Sequence, residues 1–331
     1  MIAYYIRRLV SVVFVLVTVS TIMFFVSRSL PGDPVSLWVG DHPTKDQLDN
    51  ARKTLGFDRP LHEQYVSYLR GVFTLDLGVS LRTRQPVLTE LGHRFSATLE
   101  LVLFSMLIAL FCGYLLGLRV ASNPGTRFDQ VARGVGYLGL SFPVFWLGMT
   151  LQLVFFGFLK WFPLQGRHSG LGVHDVDLSV NSGLFLFDTL ASGEWGLFFD
   201  GLSHILLPVT TLTFGVFGLI FRTTRSAMTE VMTEPFFYTY LAYGFEPSEV
   251  IRRSAYKNTL VPVTTVFGLS FGLMLGGTFL VESIFDWPGL GQFSVLSILT
   301  NDFPAIMGVT IFYTSTYVLI NLLIDFWDKM P

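Results

Sequence analysis

The chain has 331 residues, 51% of them hydrophobic and only 14% charged, with 33 phenylalanines and a mean hydropathy of +0.55. A soluble domain carries about 25% charged residues, so the composition excludes a soluble globular protein, and the net charge of -2 supplies no electrostatic basis for binding nucleic acid. The single cysteine, Cys112, lies in an apolar run, which excludes a disulfide within the chain and makes packing its expected role.

The N-terminal run from Leu9 to Val26 is longer than the roughly 7–15 residues of a signal-peptide core, so it reads as a retained first membrane helix. Arg7 and Arg8 hold its start in the cytosol. A membrane helix needs about 20 apolar residues, and six segments qualify: 9–29, 97–118, 134–159, 203–221, 260–281 and 304–325. The run 183–199 is short and carries Asp188 and Glu194, so it reads as an interfacial piece outside the membrane. The expected fold is therefore an all-α integral membrane protein with six transmembrane helices and both termini cytosolic. Its divisions are a first helix (1–30), a large external segment (31–96) and a membrane core (97–331).

Charge agrees with that orientation. The cytosolic connections would carry Arg119, Arg127, Arg133, Arg222, Arg225, Arg252, Arg253 and Lys257, whereas the last external loop, 282–303, has no Lys or Arg. Gly113 and Gly117, then Gly272 and Gly276, recur at the spacing that lets helix backbones approach closely in lipid, within this chain or at a subunit interface.

No lysine follows a glycine as a P-loop requires, so ATP hydrolysis within the chain is not expected. The six histidines are scattered; His168 with His174 and Asp175 reads as solvated loop, and neither a metal nor a cofactor is expected. The centres of the spans lack ionisable groups, which argues against a proton- or ion-driven carrier, although a channel needs none. Polar residues within spans, among them Ser141, Thr210, Thr211, Thr213, Thr264, Thr265, Ser270 and Asn321, are candidates either for a solute pathway or for bonds between helices.

The segment 222–258 is the most informative polar stretch. Pro235 would break a single long helix, Gly244 permits a tight turn, and Glu246-Pro247 with Glu249 has the character of a helix start. Two short helices around a glycine turn suit docking onto a partner, though an ordinary basic connector has similar composition.

This stretch resembles the conserved cytosolic loop, often called the EAA loop, of ABC-transporter permeases in the dipeptide/oligopeptide family, specifically the B-type membrane subunit. The resemblance covers about 300 residues in order. It includes Pro31-Gly32-Asp33-Pro34, Leu55-Gly56-Phe57-Asp58-Arg59-Pro60, Asp76-Leu77-Gly78-Val79-Ser80, Ala97-Thr98-Leu99-Glu100, Ser141-Phe142-Pro143, Trp161-Phe162-Pro163 and His204-x-x-x-Pro208. It continues through Arg222-x-x-Arg225-Ser226, Asn258-x-Leu260-x-Pro262, the run from Val281 to Gly291, and Asn321-Leu322-x-x-Asp325. The chain departs from the family in having Ala242-Tyr243-Gly244 where Ala-Lys-Gly is usual, and in a longer insert at 167–202.

The resemblance implies a half-pore for peptides in the prokaryotic cell membrane, paired with a C-type permease subunit, two ATP-binding subunits and an external solute-binding protein. It implies coupling contacts at Glu230, Glu234, Tyr238, Ala242, Tyr243 and Gly244, with Arg252 and Arg253 beside them. Related permeases serve oligosaccharides, nickel chelates, glutathione or opines, so the same architecture also admits those solutes.

Overall fold

The computed structural model describes residues 2–29, 34–40, 43–170, 180–252 and 256–327. Among them every regular element is helical, and the sole strand-like feature is an isolated bridge between Val79 and Pro86. Five helices are long and apolar enough to cross a membrane: Val10–Ser29, Val87–Ala121, Trp195–Val231, Tyr256–Gly277 and Phe303–Leu322. The chain divides into two compact units, one of 1–98 and 288–322, the other of 99–287 and 323–331.

The first unit contains α1 (Ile2–Ser29), α2 (Pro34–Val39), α3 (Lys45–Leu55), α4 (Leu61–Thr74), the start of α5 (Val87–Ala121), α14 (Leu290–Leu299) and most of α15 (Phe303–Trp327). α3 is bounded by local chemistry. Thr44 and Gln47 form a reciprocal capping box, and Gly56 closes the helix in the left-handed region at φ 72°. Phe24 of α1 meets Tyr65 and Tyr68 of α4, with ring centroids 5.3 and 5.7 Å apart, and the hydroxyls of Thr21 and Tyr65 are 2.7 Å apart.

Asp302, fully buried, organises the other side of this unit. It accepts from Ser80 Oγ, from the amides of Leu81 (3.0 Å) and Arg82 (3.2 Å), and from the Ala305 amide at the start of α15 (3.3 Å). A buried carboxylate is tolerated because these donors replace its hydration. The result is a single residue that pins the turn after α4 to the helix that follows it. Beneath lie Val87, Leu91, Leu290, Phe293, Ala305 and Val309.

The second unit is built around α9 (Trp195–Val231), against which α6 (Arg127–Ser141), α7 (Val144–Leu151), α8 (Phe185–Ala191) and α12 (Tyr256–Gly277) pack. Close approach depends on glycines. A Cβ on Gly117 would lie 2.7 Å from Thr224 Cβ and 3.1 Å from the Phe221 carbonyl, and one on Gly136 would lie 2.5 Å from the Phe221 ring. Cys112, expected to be packed, is exposed on α5.

Four spans differ from the sequence expectation. The second, expected at 97–118, belongs to a helix that starts at Val87, inside the segment expected to be external. The third span, 134–159, is not one helix: α6 ends at Ser141, Phe142 is extended (φ -88°, ψ 136°), and α7 restarts after Pro143 and runs into a π-helical stretch, Gln152–Phe158. Proline cannot donate its amide and drives the residue before it out of the helical region. The fourth span, expected at 203–221, extends at both ends. Arg222–Val231 is helix, because nothing breaks the chain until Glu234-Pro235, and the Thr224 and Thr229 hydroxyls return to their own helix. The fifth, expected at 260–281, ends at Gly277 and is followed by the short α13 (Phe279–Ile284).

Candidate functional site

The segment after α9 forms α10 (Pro235–Ala242), a turn at Tyr243 and Gly244, and α11 (Pro247–Val250). Each short helix starts with proline at its first position after an extended glutamate, Glu234 (ψ 146°) or Glu246 (ψ 142°). Gly244 has φ +86°, and an added Cβ would meet nothing within 4 Å, so its requirement is conformational rather than steric. The Phe245 amide reaches back to the Tyr240 carbonyl at 3.2 Å, and their rings meet edge to face at 5.5 Å.

The expected contact residues are turned outward. Glu230, Glu234, Ala242 and Arg252 are exposed, as are Tyr238 (59%) and Tyr243 (77%), while Phe237 and Val250 are buried. Arg253 lies outside the described residues. The ends of the segment are seated on a cluster of Leu118, Ala121 and Met228, flanked by Met232, Ile251 and Tyr256. Tyr114 donates its hydroxyl to the Tyr256 carbonyl at 2.9 Å. A fixed base and an exposed aromatic tip give the segment the form of a presented surface.

A carboxylate missed by sequence reasoning stands beside it. Asp129, at the start of α6, accepts from the Gly125 amide (3.0 Å) and pairs with Arg133 (3.0 Å) and Arg225 of α9 (3.4 Å). The Gly125 amide, aided by the two guanidiniums, holds its carboxyl below the usual aspartate range. The spacing Thr126-x-x-Asp129, with Arg133 four residues on, was the available local signal: Thr126 caps α6 by accepting from the Asp129 amide. The partner Arg225 had no such signal.

The polar residues proposed for spans are mostly engaged with their own helices. Ser141, Thr210 and Asn321 bond carbonyls four residues back, at Tyr137, Leu206 and Tyr317, and Thr264 bonds Val261. Thr211 and Thr265 do likewise, to Leu207 and Val261, while Ser270 is buried. Thr213 instead crosses to α5, donating to the Ser105 carbonyl at 3.3 Å, and Ser105 Oγ lies 3.4 Å from the Val209 carbonyl. Gly113 and Gly117 abut α9, with a Cβ on Gly113 falling 3.0 Å from Ile220 Cγ2. Gly272 is buried, but a Cβ on Gly276 would meet nothing within 4 Å.

The insert 167–202 is anchored by a buried ion pair. Arg167 donates through Nε (2.9 Å) and Nη2 to Glu100 Oε2, and Glu100 Oε1 accepts from the Leu186 amide at 2.7 Å. The same guanidinium reaches the Gly183 carbonyl (2.8 Å) and lies over the rings of Phe185 and Trp287. Nearby, His168 stacks on Phe185 and its Nδ1 accepts from the Gly170 amide, whereas His174 and Asp175 lie outside the described residues. Among the described residues no cluster of His, Cys, Asp and Glu could hold a metal ion.

Comparison with known proteins bears on what this architecture is. Residues 113–330 match the family described as binding-protein-dependent transport system inner membrane component, and residues 1–102 match its N-terminal membrane-component family. The chain is 39% identical to a probable D,D-dipeptide transport system permease protein of Escherichia coli strain K12, covering 96% of this chain and 93% of that protein. It is 37% identical to a di/tripeptide transport system permease protein of Pseudomonas aeruginosa (98% and 96%), and 32% identical to a glutathione transport system permease protein of Salmonella choleraesuis (98% and 96%). With two family matches spanning nearly the whole chain and its long apolar helices, the chain belongs to the inner-membrane permease family of binding-protein-dependent ABC transport systems.

Proposed function

We propose that this subunit forms half of the pathway of an ABC importer for di- and oligopeptides and that it couples to separate ATPase subunits through the turn at Gly244. The supporting observation is the form of 232–252: two short helices around a left-handed glycine, fixed at their base and exposing Tyr238 and Tyr243. In this reading the α6–α7 break lies within one crossing, which with the five long helices makes six spans. Both termini and the Gly244 segment are cytosolic, and 31–96 is external. A second permease subunit, two ATPases and a solute-binding protein complete the assembly, as expected for a family whose membrane components lack catalysis of their own.

ATP-driven closure of the ATPase subunits would move the segment as a rigid lever on α9 and α12, switching access to the pathway. Both α9 and α12 flank it directly, so a displacement at Gly244 reaches two membrane helices. The Asp129–Arg225 pair lies where α9 leaves the membrane core and would carry the same motion to α6.

Gly244→Val tests the coupling. At φ +86° a β-branched residue is strained by about 1–2 kcal/mol, and no neighbour blocks its insertion. In proteoliposomes of the assembled complex, ATP-driven dipeptide uptake should be lost while the subunit remains inserted and assembled. Normal uptake at normal subunit levels sinks the assignment.

A second solute is favoured by one observation, the glutathione permease relative that matches over nearly the whole chain. Calorimetric screening of the cognate binding protein against dipeptides and glutathione separates the two. Transport by the purified chain without ATP would instead establish a channel or carrier.

A further inference from the structure

Within the first unit, α1, the end of α3, α4 and the start of α15 line a cavity of about 480 Å3 that is open to the surface. That volume lies in the range of small-molecule pockets, roughly 300–1,000 Å3. Arg28, Arg59 and Arg70 line it together with Asp76, so three cations face one anion. No carboxylate among the described residues forms an ion pair with any of the three arginines.

Among the described residues, the hydrogen-bond partners of Arg28 are neutral. Its Nε and Nη2 donate to Gln64 Oε1 at 3.2 and 3.0 Å, and its Nη1 donates to Ser27 Oγ at 3.2 Å. Gln64 is fixed in turn by donating to the Phe57 and Arg59 carbonyls. The rings of Phe24 and Phe57 lie 4.8 and 5.1 Å from the guanidinium carbon. A guanidinium has five N–H donors, so the neutral acceptors leave two for a ligand. Such a preorganised fork is suited to a carboxylate. Asp76 receives the Gly78 amide on Oδ1 at 3.2 Å, which leaves Oδ2 for a cation.

We propose that this cavity binds a short zwitterionic peptide, with Arg28, Arg59 and Arg70 taking its terminal carboxylate and Asp76 its α-ammonium. The proposal rests on the peptide-import reading and adds to it a solute site in the segment that precedes α5, apart from the pathway. The one volume is thus lined by both signs of charge that a zwitterion carries. Within the described residues the three cations have no carboxylate partner, and a ligand carboxylate would offset their mutual repulsion.

The test is calorimetric titration of L-alanyl-L-alanine into the full chain in lipid nanodiscs, with no binding protein present. Saturable binding is expected. It should weaken at least tenfold in Arg59→Gln/Arg70→Gln, in Asp76→Asn, and for the C-terminal amide of the same dipeptide. Arg59, Arg70 and Asp76 are exposed, so these variants should elute and melt as the parent does. Absence of saturable binding, or equal affinity in the double variant, overturns the proposal. If the parent binds no dipeptide but the double variant loses affinity for the solute-binding protein, the carboxylate comes from that protein and the peptide assignment falls. ATP-driven uptake by the assembled complex is measured alongside. Dipeptide uptake without dipeptide binding to the cavity overturns this inference alone, whereas uptake of a different solute overturns the import reading on which it rests.

Discussion

Replacing Arg167 by Met should destabilise the second unit more than replacing Glu100 by Gln, although the two side chains form one ion pair. The Glu100 side chain is 2% exposed and that of Arg167 15%. Glu100 receives two N–H groups from Arg167 and one from Leu186. Arg167→Met therefore removes two of its three donors and the compensating charge, and stranding a buried ion costs about 3–5 kcal/mol. The surviving Leu186 amide places the expected loss near the lower end of that range. Glu100→Gln keeps an acceptor for Leu186 and leaves Arg167 its bond to Gly183 and its two aromatic faces. Loss of a charged bond of that kind amounts to about 1.5–3 kcal/mol. The double variant should lie well short of the sum, because neither charge is then stranded. The assay is thermal unfolding of the purified chain in detergent, read with limited proteolysis of 167–202. Melting of Arg167→Met at the parental temperature, or additivity of the two single changes, would refute the reasoning.

Several other outcomes follow from the same structure. Gly117→Leu should prevent close packing of α5 on α9, since even a Cβ falls 2.7 Å from Thr224 Cβ and 3.1 Å from a carbonyl oxygen. The variant should melt lower and assemble poorly, whereas Gly276→Ala, which meets nothing, should leave the isolated chain unchanged. Asp302→Asn should lower stability by about 1–3 kcal/mol, because an amide cannot accept from all the donors arranged around this buried carboxylate. Asp129 has a folded-state pKa below its unfolded value, so its contribution is complete at neutral pH and is lost as pH falls below the ordinary value of 3.8. Melting temperatures of the parent and Asp129→Asn should thus differ at pH 7 and converge under strong acid; a constant difference counts against the assignment.

How much was legible in the sequence depended on the range of the interaction. Hydropathy located most of the long helices because burial in lipid is read from about 20 consecutive residues. Pro235, Gly244 and Pro247 marked the two short helices because each acts through its own backbone geometry. The same kind of signal was misjudged at Ser141-Phe142-Pro143, where a strong hydrophobic run concealed a proline break. At 222–231 charge suggested a loop, yet helix persists because membrane helices can extend into water when no residue stops them.

Composition and local pattern by themselves determined the membrane class, the all-helical character, the glycine turn and the order of the family motifs. Only the tertiary structure decided which distant groups meet. It joined Glu100 to Arg167 across 67 positions and Ser80 to Asp302 across 222, brought Arg225 to Asp129, and gathered three arginines around one cavity. The physical reason is that helix propensity and hydropathy act between near neighbours, while a buried charge is satisfied by whichever element the packing brings beside it. Nothing in the residues flanking Glu100 or Asp302 specifies that partner.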